Sequence, residues 1–508
     1  AEKEAKKAAS RAARGQKQGG AVAEDDPLKA NYGKAEIVNS REKTGRVWTP
    51  VSQLNAGLAG GEVLVRARVH AVRGKGKSCF LVLRQRTATV QAVMFADDVQ
   101  ISKPMIKFAS NITKESIVDV VATVAKPDAE ITSCTQKDAE LAVKTIHVVS
   151  AADPNLPFLL EDASRSDTLL NAEGSEYVRV GQDTRLDNRV VDLRTPANMA
   201  IFTVQSGVCA LFREILMSKG FQEIHTPKLI AGTSEGGANV FNIKYFDRNG
   251  CLAQSPQLYK QMAICSDFER VFEIGPVFRA ENSFTHRHMC EFTGLDLEMA
   301  INEHYHEVLD VLGELFVYMF DGLNSRYSEE LKVINEQHPF KPLRYLRETL
   351  ILTFAEGCAL LKEHGIDQDP YGDLDTPTER KLGEIVAEKY KTDFYILEKY
   401  PLNVRPFYTM PCPEQPDKLS NSFDIFIRGE EIISGAQRIH DPQLLQERAV
   451  ACGMDVAGIQ SYIDSFKFGA VPHGGCGVGM ERVVMLFCGL GNIRKSSMFP
   501  RDPRRLTP

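Results

Sequence analysis

Short stretches in which apolar and polar residues alternate dominate the chain between residues 47 and 149. The clearest are EVLVRARVHAV, CFLVLRQ, ATVQAVMF, SIVDVVATVAKP and ELAVKTIHVVS, with turn-forming residues between them. Alternation with a period of two predicts β-strands that bury one face. Five such strands, with a helical insert near residues 104–109, predict a small closed β-barrel.

The pattern changes after the predicted barrel. Residues 153–185 show little periodicity and contain Pro154 and Pro157, which predicts a hinge. Residues 197–219 carry apolar residues at helical spacing and are followed by Gly220, so we expect an amphipathic helix that ends there. The next segment, FQEIHTPKLI, has the composition of a strand, and its Pro227 indicates an edge strand or an interrupted ladder.

Composition limits the class of protein. The 508 residues are 43% hydrophobic and 25% charged, which leaves room for two or three domains. A net charge of −6 argues against nucleic-acid binding by bulk charge, so any such contact must be local. The eleven cysteines form no C-x-x-C pair and predict reduced thiols in a cytosolic protein. No uninterrupted apolar run approaches the ~18 residues of a membrane helix, so we expect no membrane partner.

The first residues form a basic segment. Lys3, Lys7, Arg11 and Arg14 recur at three- and four-residue steps and would share one face of a helix. Two interpretations remain open: a disordered solubilising tail, or a weak electrostatic clamp on a polyanion. We expect residues 1–45 to form a flexible extension.

Two later stretches carry the candidate chemistry. In GPVFRAENSFTHRHMCEFTGLDLEM (275–299), a first predicted strand carries Arg279 and Glu281, and a polar loop follows it. A second predicted strand carries three carboxylates among apolar neighbours, Glu291, Asp296 and Glu298. Buried carboxylates are costly unless they meet cations or hydrogen-bond donors. In GCGVGMERVVML (475–486), a glycine-rich strand that a ligand can approach closely leads into a helix with Arg482 in its first turn. Together they indicate a ligand that carries both phosphates and an amine.

These blocks resemble the motifs of a known family. The helix and strand with Pro227, the FRAE–loop–EFTGLDLEM segment and GVGMERVVM resemble the three motifs of class II aminoacyl-tRNA synthetases. The barrel resembles the anticodon-binding OB-fold of the class IIb subgroup. TSEGGANVF (233–241), QSPQLYKQ (254–261), ISGAQRIHD (433–441) and the ending SMFPRDPRRLTP are similar to the cytosolic aspartyl enzymes.

The resemblance implies an α+β fold, in which a five-stranded OB-fold barrel precedes a catalytic domain with an antiparallel sheet flanked by helices. The expected divisions are an extension (1–45), the barrel (46–152), a hinge (153–185) and the catalytic domain (186–508). The implied activity is ligation of L-aspartate to tRNA(Asp) with ATP, by a cytoplasmic homodimer. Membership of a multi-synthetase complex stays open.

The resemblance also assigns an ATP site. It implies that Arg279 contacts the α-phosphate, that Arg482 reaches the γ-phosphate and stacks on adenine, and that Phe292 covers the other adenine face. Glu281 would accept a hydrogen bond from the adenine amino group. Further implied ATP contacts are His286, Arg287, His288, Met289, Glu431 and Gly479. Asp424 and Glu431 match the carboxylates that hold Mg²⁺ against the phosphates, and Mg²⁺ prefers such oxygen ligands.

Selection of the amino acid is assigned in the same way. A site for aspartate needs cations for the second carboxylate, and Lys260 and Arg438 are the candidates. Asp296 would bind the α-ammonium group. The other implied pocket residues are Ser234, Glu235, Gln257, Ser434 and Gly435.

In the barrel, Phe80 would stack on an anticodon base, and Gln91 and Glu140 would bond base edges. The alternation alone leaves open whether Phe80 faces the core or the solvent.

Each residue also has an ordinary structural explanation. Arg279 and Glu281 could form an exposed cross-strand pair, and Asp424 and Glu431 could lie on a solvated strand. The joint order and spacing of the motifs favour a ligand site. The alternative functions are an asparaginyl or lysyl relative, against which Lys260 and Arg438 argue, and a catalytically silent synthetase-like binding protein. Four intact residues argue against the silent protein: Arg279, Glu281, Glu431 and Arg482.

Overall fold

The computed structural model describes residues 22–231 and 239–508, and the chain forms two compact units, residues 1–159 and 160–508. The division falls inside the region predicted as a hinge. That region also contains short helices, so it is less irregular than its sequence indicates.

In its described residues, the first unit is a β-barrel with one α-helix. Its elements are β1 (Tyr32–Lys34), β2 (Glu62–Lys75), β3 (Ser78–Gln85), β4 (Ala88–Phe95), α1 (Lys103–Ser110), β5 (Ile117–Ala125) and β6 (Glu140–Ser150). The strands lie in the order β1-β6-β4-β3-β2-β5, and β5 also pairs with β6, which closes the barrel. The predicted five strands are confirmed, and a short sixth strand is added.

Part of the predicted extension is folded. Strand β1 pairs in parallel with β6, with Tyr32 opposite Ile146. Tyr32 is buried, its ring centroid lies 5.3 Å from that of Phe108, and its hydroxyl donates to Asp26 Oδ2 at 2.9 Å. This segment therefore completes the barrel core, because an aromatic ring fills space that the five strands leave. The four basic residues of the first segment lie outside the described residues.

The second unit contains the remaining elements. The helices are α2 (Leu160–Ala163), α3 (Asp167–Leu170), α4 (Gln182–Asp187), α5 (Arg189–Asp192), α6 (Pro196–Ser218), α7 (Gln257–Cys265), α8 (His306–Arg326), α9 (Ser328–Gln337), α10 (Phe354–Glu363), α11 (Thr376–Lys389), α12 (Pro442–Ala451), α13 (Gln460–Phe466) and α14 (Met480–Phe487). The strands are β7 (Gln222–Glu223), β8 (Leu229–Ile230), β9 (Asn242–Tyr245), β10 (Arg248–Leu252), β11 (Arg270–Phe278), β12 (Glu291–Ala300), β13 (Leu350–Thr353), β14 (Phe394–Glu398), β15 (Ser422–Ile427), β16 (Glu430–Gln437) and β17 (His473–Gly479).

An eight-stranded sheet organises this unit, in the order β13-β14-β15-β16-β17-β12-β11-β7. The two outer pairs are parallel and the inner pairs are antiparallel. Helices α6, α8 and α14 share the largest apolar core with the sheet, where Val208, Phe316 and Val483 pack with Leu295. The central strands β12, β17 and β16 are therefore held by neighbours along both edges and by helices.

Helix α6 confirms the predicted amphipathic helix. Thr195 caps its first turn by accepting from the Asn198 main-chain N–H, and Gly220, with φ +80°, lies just beyond its end. By length and composition alone the helix could cross a membrane. Its buried face belongs to the core, however, as expected of an interior helix. The strand predicted around Pro227 is only two short pieces, β7 and β8, in line with the interruption that the proline indicated.

Candidate active site

A cavity of about 350 Å³ is lined by residues of β12, β16 and β17 and by the start of α14. Most of the expected ATP and amino-acid residues line it together, although they come from segments far apart in the chain. They are Gln257, Arg279, Glu281, Arg287, His288, Met289, Phe292, Asp296, Glu431, Ser434, Gly435, Arg438, Gly479 and Arg482.

Arg279 follows directly after β11 rather than lying within it, and its main-chain N–H donates to the Cys290 carbonyl at 2.8 Å. This bond holds the base of the loop 279–290. The Arg279 guanidinium lies 5.6 Å from the centre of the Phe292 ring, and its Nη1 is 4.0 Å from Glu281 Oε1. An aromatic face, a cation and a carboxylate therefore meet at one end of the cavity, an arrangement that suits a nucleotide.

Arg482 is held by two main-chain carbonyls. Its Nη1 donates to the main-chain carbonyl of Glu431 at 2.7 Å, and its Nη2 donates to that of Arg287 at 3.4 Å. Burial lowers the pKa of Arg482, and the nearby charge of Glu431 opposes that shift. Main-chain carbonyls fix the guanidinium but do not neutralise it, so its charge remains available to an anionic ligand.

The two carboxylates predicted as metal ligands have different surroundings. Both oxygens of Asp424 accept from Arg405, at 2.8 Å each, and Arg405 also donates to Ser434 Oγ at 2.8 Å. Burial raises the pKa of Glu431, and the charge of Asp424 raises it further. An added cation near Glu431 would favour its charged form. In the part of the chain that the structure describes, no group of three or more His, Cys, Asp or Glu side chains could hold a metal ion.

Three consecutive side chains of the loop 279–290, His286, Arg287 and His288, face different partners. Arg287 Nη1 donates to Glu379 at 2.5 Å, and His286 Nε2 lies 3.0 Å from both carboxylate oxygens of Glu430. His286 therefore lies in a neighbouring groove rather than against the cavity. Burial lowers the pKa of His288, whose Nδ1 lies 2.6 Å from Thr285 Oγ1.

The cations expected to select the amino acid belong to a buried charge cluster. Lys260 Nζ donates to Asp296 Oδ1 at 3.0 Å and lies 3.3 Å from Glu298 Oε2. Arg438 donates to both oxygens of Glu298, at 2.8 and 3.2 Å, and to the Gly475 carbonyl at 2.8 Å. Arg438 and Asp296 line the cavity, while Lys260 supports them from the interior.

Gly475 makes this cluster possible. A Cβ at Gly475 would lie 2.5 Å from Glu298 Oε2 and 2.2 Å from the Leu297 carbonyl. Any side chain there would displace the carboxylate that joins the two cations. The glycine-rich character of β17 therefore provides room for the charge cluster as well as for a ligand.

The barrel presents a separate group of polar and aromatic side chains. Phe80 is 36% exposed, while its neighbours Cys79 and Leu81 are buried, so the ring faces outward. Gln91 Nε2 donates to Glu140 Oε2 at 3.0 Å across paired strands. Phe95 meets Phe80 edge-on, with ring centroids 5.8 Å apart. Phe80, Gln91 and Glu140 therefore lie on one exposed face.

Comparison with known proteins finds a family model for each of the two units. Residues 181–503 match the family model for class II tRNA synthetases of the D, K and N group, and residues 63–149 match that for OB-fold nucleic acid binding domains. The human protein "Aspartate--tRNA ligase, cytoplasmic" is 57% identical over 96% of each chain. The chain belongs to the aspartate–tRNA ligase family.

Solved structures support the same placement within class II. The aspartyl-tRNA synthetase from Entamoeba histolytica has a TM-score of 0.86 and 47% identity, covering 94% of this chain and 96% of its own. The asparaginyl-tRNA synthetase from Pyrococcus horikoshii, complexed with asparaginyl-adenylate, has a TM-score of 0.77 and 30% identity, covering 92% and 100%. The fold is thus shared with the asparaginyl branch, and the similarity is greater to the aspartate–tRNA ligase family.

Several residues of this aspartate–tRNA ligase family member were not assigned a role from sequence. Arg405 clamps Asp424, Glu298 joins Lys260 to Arg438, and Glu379 holds Arg287. Glu298 was visible as a carboxylate on an apolar strand, which was a usable signal. Arg405 and Glu379 gave no such signal, because each lies in an ordinary polar context. Ser234 and Glu235 lie outside the described residues.

Proposed function

We propose that this protein is an aspartate–tRNA ligase that activates L-aspartate with ATP and transfers it to the 3′ end of tRNA(Asp). The observation that carries the proposal is that Arg279 and Phe292 line the same cavity as Arg438 and Asp296. One end suits phosphates and a purine, and the other suits a ligand with an ammonium group and carboxylates.

In the first step, the α-carboxylate of aspartate attacks the α-phosphorus of ATP, the bond to the β-phosphate oxygen breaks, and pyrophosphate leaves. The chain supplies positioning and charge stabilisation. Arg279 would stabilise the negative charge that develops at the α-phosphate, and Arg482 would hold the γ-phosphate and stack on adenine. Phe292 would cover the other adenine face, and Glu281 would accept from its amino group.

The amino-acid end would select by charge. Lys260 and Arg438 carry two positive charges, which Glu298 and Asp296 balance in the cluster itself. When Asp296 pairs with the ammonium group of the substrate, the cluster and that group together carry one excess positive charge, which suits the side-chain carboxylate of aspartate. Asparagine would leave a buried cation without an anion, which is costly.

The two carboxylates expected to bind Mg²⁺, Asp424 and Glu431, fit that role in part. Glu431 would be the ion's principal protein ligand, since Arg405 occupies both oxygens of Asp424. The phosphate oxygens of ATP would complete the ligand set, and the ion would offset phosphate charge.

The barrel would recognise the anticodon. Phe80 offers an exposed aromatic face for a base, and Gln91 and Glu140 offer a donor and an acceptor on the same face. Because the chain carries a net charge of −6, its overall charge would not attract RNA, and this local surface would make the contact. We further propose a cytoplasmic homodimer.

Amino-acid-dependent exchange of pyrophosphate into ATP tests the proposal. We expect exchange with aspartate, and much weaker exchange with asparagine or lysine. Exchange that prefers asparagine or lysine would assign the protein to a relative with that specificity. No exchange with any of the three would indicate a silent synthetase-like protein.

A further inference from the structure

Helix α11 (Thr376–Lys389) packs unusually closely on the turn between β15 and β16. A Cβ at Gly383 would lie only 2.3 Å from the Gly429 Cα. Gly429 has φ +75°, and a Cβ there would lie 3.0 Å from the Arg380 Cα. Two glycines thus let the helix and the turn meet backbone to backbone. The first turns of α11 are therefore fixed relative to Glu430 and Glu431, which begin β16.

Two consecutive residues of α11 hold the loop 279–290. Glu379 accepts from Arg287 at 2.5 Å, and the two side chains are only 6% and 12% exposed. Arg380 Nη2 donates to Glu430 Oε1 at 2.7 Å and lies 2.8 Å from His286 Nε2. The loop is thereby attached to a helix that lies outside the three class II motifs.

The attachment reaches the nucleotide end of the cavity. Arg287 lines the cavity, and its main-chain carbonyl accepts from Arg482. The loop also carries Arg279 at its base. A polar loop loses conformational freedom when a ligand orders it, and contacts that order it in advance reduce that loss.

We infer that Glu379 and Arg380 are positioning residues that hold the loop 279–290 in the conformation that receives ATP. The inference rests on the proposed function, since it assigns ATP to this cavity. Neither residue needs to touch the substrates. Glu379 acts through Arg287, and Arg380 acts through Glu430 and His286.

The variants Glu379→Gln and Arg380→Ala test the inference in the full-length protein. Since a hydrogen bond to a charged group contributes about 1.5–3 kcal/mol, the KM for ATP in aspartate-dependent exchange should rise by roughly tenfold or more. The KM for aspartate should stay within about twofold, because the charge cluster around Glu298 is untouched. Arg380→Lys should recover part of the loss, since it retains the charge but not the planar fork.

Lys381→Ala and Glu384→Gln are matched controls. These residues form an exposed pair on the same helix, with Lys381 Nζ 3.0 Å from Glu384 Oε2. Both variants should keep the wild-type KM for ATP. Unchanged values in Glu379→Gln and Arg380→Ala, or equal increases for ATP and aspartate, would overturn the inference.

Hydrogen–deuterium exchange of the loop 279–290 gives a readout that does not depend on catalysis. Exchange should be faster in Glu379→Gln and Arg380→Ala than in the wild type and the controls. Arg380 is about half exposed, so its replacement tests the loop even if Glu379→Gln folds poorly. Unchanged hydrogen–deuterium exchange of the loop in both variants would overturn the inference. A wild-type protein without aspartate-dependent pyrophosphate exchange would overturn the proposed function alone.

Discussion

At the scale of single residues, Arg279 is the side chain whose loss should affect chemistry most directly. Removal of one preorganised donor to a developing negative charge typically costs about 3 kcal/mol. We therefore expect Arg279→Ala to reduce aspartate-dependent exchange by ~10²–10³-fold without unfolding the protein. Arg347→Ala is a suitable control, because Arg347 is 74% exposed and pairs only at the surface with Asp321. Near-normal exchange in Arg279→Ala would show that the α-phosphate contact lies elsewhere.

Lys260 should determine which amino acid is activated. Lys260→Leu removes one of the two cations around Glu298, so the aspartate carboxylate would meet a pocket without excess positive charge. Loss of one partner of a buried charge pair costs about 2–5 kcal/mol. The rate of aspartate activation should fall by the factor that corresponds to this free energy, and the rate of asparagine activation should fall far less. The ratio of aspartate activation to asparagine activation should therefore decrease strongly. If exchange measured with each amino acid falls by the same factor, Lys260 is not the discriminating residue.

Glu481 gives a pH dependence with a definite sign. Burial raises the pKa of Glu481 to about 7, although the Thr293 main-chain N–H donates to it. In the unfolded chain a glutamate titrates near ~4.3, so the folded state holds the extra proton between these two values. The free energy of unfolding should therefore fall as the pH rises from about 4.5 to 7.

The variant Glu481→Gln isolates this contribution. Urea denaturation at pH 5 and pH 8 should show a loss of stability in the wild type that exceeds the loss in Glu481→Gln by up to about 3 kcal/mol. The same pH dependence in both proteins would exclude Glu481 as the source.

At the scale of elements, Phe80 on strand β3 tests the proposal that the barrel binds tRNA while the second unit activates the amino acid. Base–aromatic stacking contributes about 1–3 kcal/mol, so Phe80→Ala should weaken charging of tRNA(Asp) by roughly 5- to 100-fold while exchange stays normal. Phe246→Ala is the control, since Phe246 is also an exposed phenylalanine, on the turn between β9 and β10 of the other unit. A parallel loss of charging and exchange would instead indicate a structural role for Phe80.

The observed helices and strands also show which elements a sequence pattern can predict. The helix predicted at 197–219 is observed at Pro196–Ser218, because helical periodicity, an N-terminal cap and Gly220 all agree. The strand with Asp296 and Glu298 is observed at Glu291–Ala300. The short strand β1 was missed, since three residues carry too little periodicity, and only its pairing with β6 makes it a strand.

At the scale of the whole molecule, we expect a homodimer. Helix α6 and the segment around Pro227 resemble the subunit-contact motif of class II synthetases. Obligate interfaces usually bury more than ~2,000 Å², so dissociation should not occur at micromolar concentration. Sedimentation equilibrium should give twice the chain mass of 56.5 kDa. A monomeric mass at micromolar concentration would contradict the prediction.

The sequence alone determined the barrel strands, the motif strands and the main candidate arginines. These follow from local periodicity, from glycine and proline positions, and from motif order, all of which are properties of neighbouring residues. Even the outward face of Phe80 stayed open, because apolar residues at consecutive positions fit either side of a strand. The burial of Cys79 and Leu81 decided it.

Only the tertiary structure decided how the charges are paired. Arg405 pairs with Asp424, which is 19 residues away in the sequence. The corresponding separations are 92 residues for Arg287 and Glu379 and 140 residues for Arg438 and Glu298. No local pattern encodes such pairs, since the partners become neighbours only when the sheet orders its strands. Because these charges are buried, the loss of one partner would be destabilising, since the other charge would remain in the interior without a counterion.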